Sequence, residues 1–142
     1  MTNLNTAAIT VQVTINKGIN HVWQYWTNPI HITKWNFASP DWHAPFAEND
    51  LKVGGKFKSR MEAVDGTMGF DFEGIYDEVE THKSIAYSLG DGRKVKIIFN
   101  QIDENTTEVI ETFDPENENP IELQQAGWQA ILNNFKQHAE NN

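Results

Sequence analysis

At 142 residues the chain has the length of one domain with a single sizeable core, and 39% apolar against 22% charged residues excludes a disordered polymer. The 11 basic and 20 acidic residues leave a net charge of −9, which argues against the cationic face that nucleic acid requires and against docking on anionic membranes. The lack of cysteine excludes disulfides and thiolate metal sites, and no apolar run approaches the roughly 20 residues of a membrane helix. Met1-Thr2-Asn3-Leu4-Asn5-Thr6 shows no basic stretch followed by an apolar one. No signal peptide and no membrane insertion are therefore expected, and the cytoplasm is the expected location.

Residues 8–15 alternate and are rich in β-branched side chains, which predicts a strand broken by Lys17-Gly18. Ile19, Val22, Trp23 and Trp26 then recur at helical spacing, predicting a helix to about Thr27. Asn28-Pro29 restarts the chain as a second short helix ending at Trp35, with proline in its first turn. Residues 36–45 hold Pro40 and Pro45 with little periodicity, so a loop or an irregular edge strand is expected.

After the Gly54-Gly55 turn, Phe57, Ser59, Met61 and Ala63 alternate with charged residues, the pattern of a half-buried strand. Asp65-Gly66 signals a hairpin into a strand in which Phe70, Phe72, Gly74 and Tyr76 alternate with Asp71, Glu73, Ile75 and Asp77. Strands over 84–89, 94–102 and 107–113 follow, separated by Gly90-Asp91-Gly92 and by the polar turn at 103–106. Asn119-Pro120-Ile121-Glu122 then reads as the start of a long helix, with Asn119 as cap and Pro120 at the first helical position. Its expected apolar stripe is Leu123, Gly127, Trp128, Ile131, Leu132 and Phe135.

One strand, two short helices, about six meandering strands and a long helix make an α+β domain spanning 1–142. Hairpin connections imply an antiparallel sheet, and a twisted sheet wrapped around the last helix buries the apolar face of both. Gly127 stands inside the helical stripe, where glycine costs roughly 1 kcal/mol relative to alanine. Its small size is therefore read as leaving room for a close-packed strand or for a ligand.

This order is similar to the helix-grip arrangement of the START-type (SRPBCC) superfamily, which includes the birch-pollen allergen family. Local motifs narrow the resemblance. Val22-Trp23-Gln24-Tyr25-Trp26-Thr27-Asn28-Pro29 with Ile32-Thr33-Lys34-Trp35 resembles the early helices of proteins homologous to the activator of the heat-shock 90 chaperone ATPase. So do Val53-Gly54-Gly55-Lys56-Phe57 leading to Met61 and Asp65-Gly66, then Gly74-Ile75-Tyr76-Asp77-Glu78-Val79, and the closing segment from Gly127 to Phe135. Relatives commonly end the second helix in paired tryptophans followed by Trp-Gly-Pro. Here Lys34-Trp35-Asn36 and Asn36-Phe37-Ala38 stand instead, so a different pocket mouth is expected. The resemblance implies a cavity between the curled sheet and the long helix, which in relatives takes lipids, polyketides or other apolar molecules. It does not imply a reaction, because the superfamily contains carriers, cyclases, hydrolases and chaperone cofactors.

Trp35, Phe37, Phe57, Met61, Phe72, Tyr76, Tyr87, Gly127, Trp128 and Ile131 are the expected lining, with Trp35 and Phe37 gating the mouth. For the mid-sheet rings, simple core packing is the competing reading. His43 and Ser59 are the polar candidates, His43 because imidazole titrates near neutrality, Ser59 because it falls on the inward series beside Phe57 and Met61. A solvent-exposed His43 without a partner is the competing reading. His21 and His31 are expected to be exposed. Arg60, Glu62, Asp71 and Glu73 fall on the outward face, and Glu104, Glu108, Glu111, Asp114, Glu116 and Glu118 are read as solubilising surface. No histidine spacing supports a metal, no nucleophile elbow supports a serine hydrolase, and neither a cofactor nor catalytic residues are identified.

The expected function is binding of a small hydrophobic or aromatic molecule, as a carrier or sensor. Two alternatives remain: an interaction module that stimulates a chaperone ATPase, and a cyclase- or hydrolase-like enzyme acting on an aromatic or polyketide-type substrate. Homodimerisation is left open.

Overall fold

The computed structural model describes residues 7–142. The alternating segment near the start forms β1 (Ile9–Ile15), and α1 (Ile19–Thr27) and α2 (Pro29–Trp35) follow. The Asn28 side chain accepts a hydrogen bond from the Ile30 amide at 3.0 Å, so Asn28-Pro29 caps and opens α2 as its sequence predicts. Six further strands succeed one another: β2 (Trp42–Asn49), β3 (Lys56–Ala63), β4 (Gly69–Glu80), β5 (Ser84–Leu89), β6 (Lys94–Asp103) and β7 (Thr106–Phe113). The chain closes on α3 (Ile121–Glu140).

The sheet is antiparallel throughout, in the order β1-β7-β6-β5-β4-β3-β2, and curls into a half-barrel. α3 packs against one edge strand, β1, and α2 against the other, β2. Ile15, Val22, Ile85, Ile97, Val109, Phe113, Leu132 and Phe135 form the driest part of the core. Their periods, two in the strands and about 3.6 in the helices, are those that bury one face of each element.

One local feature settles a choice that the sequence left open, and two differ from its reading. The segment after α2 becomes an edge strand at Trp42, and its register with β3 shifts between His43 and Phe46, around Pro45. β4 runs past Asp77 to Glu80 because a register shift between Tyr76 and Glu78 restarts the alternation. This turns both Tyr76 and Val79 toward the core. α3 starts at Ile121, with Pro120 as its flanking residue and no side-chain cap. The preceding loop is instead held by buried Gln124, which accepts from the Glu116 amide at 2.9 Å and donates to the carbonyls of Glu116 and Asn119 at 3.1 and 2.8 Å.

The helix keeps Trp128, Ile131, Leu132 and Phe135 of the expected stripe but not its first member. Leu123 points outward, and Gln124, Leu132, Phe135 and Ala139 are the buried positions, with Trp128 and Ile131 packed beside them. His21 and His31 are half-buried rather than exposed, because both stack on the Tyr25 ring, at centroid distances of 4.0 and 3.8 Å.

Candidate ligand-binding cavity

Between the supports of α3 on β1 and α2 on β2, the concave face of the sheet meets a cavity of about 300 Å3. β3 contributes Phe57, Ser59 and Met61 to its wall, the inward members of the alternating series. Phe72 and Tyr76 come from β4, and Ile85 and Tyr87 from β5. Trp35 closes the α2 side, and Trp128 with Ile131 closes the α3 side.

The rings brace one another. Phe57 lies 4.6 Å from Tyr87 and 5.2 Å from Tyr76 between centroids. The Phe57 ring lies over Gly74, where a Cβ would come within 2.9 Å of it and 2.7 Å of the Ser88 carbonyl oxygen. Trp128 stacks on Phe113 at 3.9 Å with planes 8° apart, and Phe72 meets it nearly edge-on at 6.2 Å. Trp35 donates from Nε1 to the Tyr25 carbonyl at 3.0 Å and packs against Trp26 and Phe135 at 4.8 and 5.0 Å. The Tyr76 hydroxyl donates to Asn49 Oδ1 at 2.5 Å, and Asn49 Nδ2 donates to the Thr27 carbonyl, which ties β4 and β2 to the end of α1.

Nine of the twelve expected residues thus meet on one wall: Trp35, Phe57, Ser59, Met61, Phe72, Tyr76, Tyr87, Trp128 and Ile131. Three do not. Phe37 lies in the turn after α2, where its carbonyl accepts from Asn134 Nδ2 at 2.6 Å, and it does not line the cavity. His43 falls on the outward parity of β2 between half-buried Trp42 and buried Ala44, with Nε2 3.8 Å from Glu62 Oε1 in solvent. Gly127 lies off the wall, and a Cβ there would meet nothing within 4 Å, so its smallness serves neither a close-packed strand nor the cavity.

The most consequential residue that sequence reasoning misplaced is Glu111. It shares the inward face of β7 with Thr107, Val109 and Phe113, lines the cavity and is 6% exposed. Alternation alone could have found it. The acidic run from Glu104 to Glu118 reads as solubilising surface when taken as a whole, which hides its inward member. Burial pushes its carboxyl up to about 8. Tyr87 is raised well above the ordinary phenol range, first by burial and then by the neighbouring Glu111 charge. Burial also raises Tyr76, partly countered by its bond to Asn49. Arg93, in the β5–β6 turn, borders the same cavity and donates from Nε to Asp91 Oδ2 at 2.7 Å. Trp26, Ile32, Asn36, Glu48 and Phe70 complete the wall. Exposed Glu48 and half-exposed Phe70 lie where it meets solvent.

A curled antiparallel sheet gripping a long C-terminal helix, with two short helices after the first strand, defines the START-type (SRPBCC) class. Within that class the chain belongs to the family described as Activator of Hsp90 ATPase homolog 1-like protein, whose model matches residues 18–140. It is similar to Chr148 from Cytophaga hutchinsonii, with 57% identity, 94% of this chain and 92% of that chain covered, and a TM-score of 0.81. It is also similar to the AHSA1-like protein from Aeromonas hydrophila, with 41% identity, coverage of 94% and 93%, and a TM-score of 0.84. Protein NE0264 from Nitrosomonas europaea, at 17% identity, coverage of 95% of each chain and a TM-score of 0.80, shares the fold. No curated protein matches the chain. Among the described residues no helix is long and apolar enough to cross a membrane.

Proposed function

We propose that this protein binds a small, largely aromatic or hydrophobic molecule in the cavity between the sheet and α3, and works as a carrier or sensor of it. The observation that carries this reading is the wall itself. Rings from β3, β4, β5, α2 and α3 surround about 300 Å3, the lower end of the range that small-molecule sites occupy. A close-packed interior leaves few voids larger than a water molecule, so a space of this size stands out from ordinary core packing.

The test is native mass spectrometry of the protein purified from its own host, followed by denaturation and identification of what is released. A stoichiometric apolar molecule supports the carrier or sensor reading. A protein that carries none, and gains no thermal stability from a broad set of hydrophobic compounds, overturns it. The family's description favours a second reading, stimulation of a chaperone ATPase, which a direct ATPase measurement with the purified chaperone tests.

A further inference from the structure

Three buried polar side chains stand on the cavity wall, and among the described residues none has a hydrogen-bonding partner: the Ser59 hydroxyl, the Tyr87 hydroxyl and the Glu111 carboxyl. Buried polar atoms in folded proteins are paired in the large majority of cases, and leaving one unpaired is costly. Tyr76, on the same wall, follows the rule through Asn49. Tyr87 and Glu111 project from the concave face of the same sheet, on β5 and β7 with β6 between them. Glu111 stands opposite Ile97, and Ile97 opposite Ile85, so the two groups are one inward step apart across β6.

We infer that the Glu111 carboxyl and the Tyr87 hydroxyl form the polar anchor of this cavity, holding the carbonyl oxygen of an otherwise aromatic, uncharged ligand. This rests on the small-molecule reading above and deepens it. An ordinary carboxylate only accepts hydrogen bonds, but a carboxyl kept protonated by burial donates one. Burial alone holds Glu111 in that form through neutral pH. A cationic ligand is disfavoured on two counts. It would require Glu111 to ionise in an apolar wall, and it would share the cavity with the Arg93 guanidinium. The other titratable groups facing the cavity are Tyr76 on β4, Glu48 at the β2 rim and Tyr87 itself, while α3 presents only Trp128 and Ile131.

The test is calorimetric titration of the full chain with naphthalene, 2-acetylnaphthalene and 2-(aminomethyl)naphthalene at pH 6.5 and 9.5, in wild type, Glu111→Gln and Glu111→Leu. At pH 6.5 the ketone should bind wild type at least about two- to tenfold tighter than the hydrocarbon, since each of the two hydrogen bonds is worth that much. At pH 9.5, where Glu111 is ionised, and at both pH values in Glu111→Leu, that advantage should fall to what the Tyr87 hydroxyl alone supplies. Glu111→Gln, whose amide still donates, should keep it at both. If Glu111→Leu does not fold, the wild-type and Glu111→Gln pH series still decide the matter. At pH 6.5, a ketone no better than the hydrocarbon, or a preference for the amine, overturns the anchor while naphthalene binding upholds the cavity reading. Failure of all three compounds to bind overturns both.

Discussion

His31 Nδ1 and His138 Nε2 lie 3.0 Å apart, a hydrogen bond that joins α2 to the last turn of α3. Such a contact needs one protonated and one free ring nitrogen, so it cannot survive when both imidazoles are cationic. His21 extends the cluster: its Nε2 lies 2.7 Å from the Ala139 carbonyl oxygen, and the Tyr25 ring is sandwiched between His21 and His31. Burial lowers the pKa of both His31 and His138, and the nearby histidines and Lys34 push in the same direction.

Lowered values mean that the native state favours neutral rings. The stabilisation from this pair is therefore complete above the unfolded value of about 6.5 and falls as pH drops through it toward the folded values. Urea unfolding at pH 7.5 and 5.5 should show the loss in wild type, and a His31→Gln/His138→Gln double variant should show less of it. An equal loss in the two proteins would refute the role of the pair. Both are best compared in a Glu111→Gln background, because Glu111 titrates with the opposite sign.

Glu111 is raised from an ordinary 4.5 to about 8, so the folded state resists its ionisation. Relative to a non-titrating residue, its contribution is greatest below pH 4.5 and is lost as pH rises through about 8. The full effect is on the order of 5 kcal/mol. The stability of wild type minus that of Glu111→Gln should decline steadily from pH 5.5 through 7 to 8.5. A difference independent of pH would show that the carboxyl titrates normally.

At Gly127 a methyl group meets open space, and the site is interior to α3. Gly127→Ala should raise stability by roughly 0.5–1 kcal/mol through helix propensity and leave naphthalene affinity unchanged. Loss of binding in this variant would return Gly127 to the cavity wall.

Gly74 is the opposite case. An added Cβ approaches both the Phe57 ring and the backbone of the neighbouring strand, and only the ring can yield. Gly74→Ala should cost about 1–3 kcal/mol and weaken naphthalene binding, because Phe57 is driven toward the cavity. A variant as stable as wild type, with unaltered binding, would show that the strand pair absorbs the methyl group.

Much of the wall was legible from local pattern. Period two placed Phe57, Ser59 and Met61 together, and Phe72 with Tyr76, because neighbouring strand residues must point to opposite faces. The same rule covered Glu111, yet composition argued the other way, and only the structure shows an acid left on the dry side of β7. His43 escaped the reading because the parity of an edge strand interrupted at Pro45 has no clear alternation to follow. Gly127 escaped it because, at 100° per residue, it falls roughly a quarter turn from the face that Gln124, Leu132, Phe135 and Ala139 share, at the edge of the stripe.

By itself the sequence determined the kinds and order of elements, the antiparallel hairpins and most inward-facing rings, since each follows from forces acting over a few residues. Only the tertiary structure decided that these rings surround open space instead of filling a core. That outcome depends on how far the sheet curls and on where α2 and α3 rest on its two edges, which are distances between segments far apart in the chain.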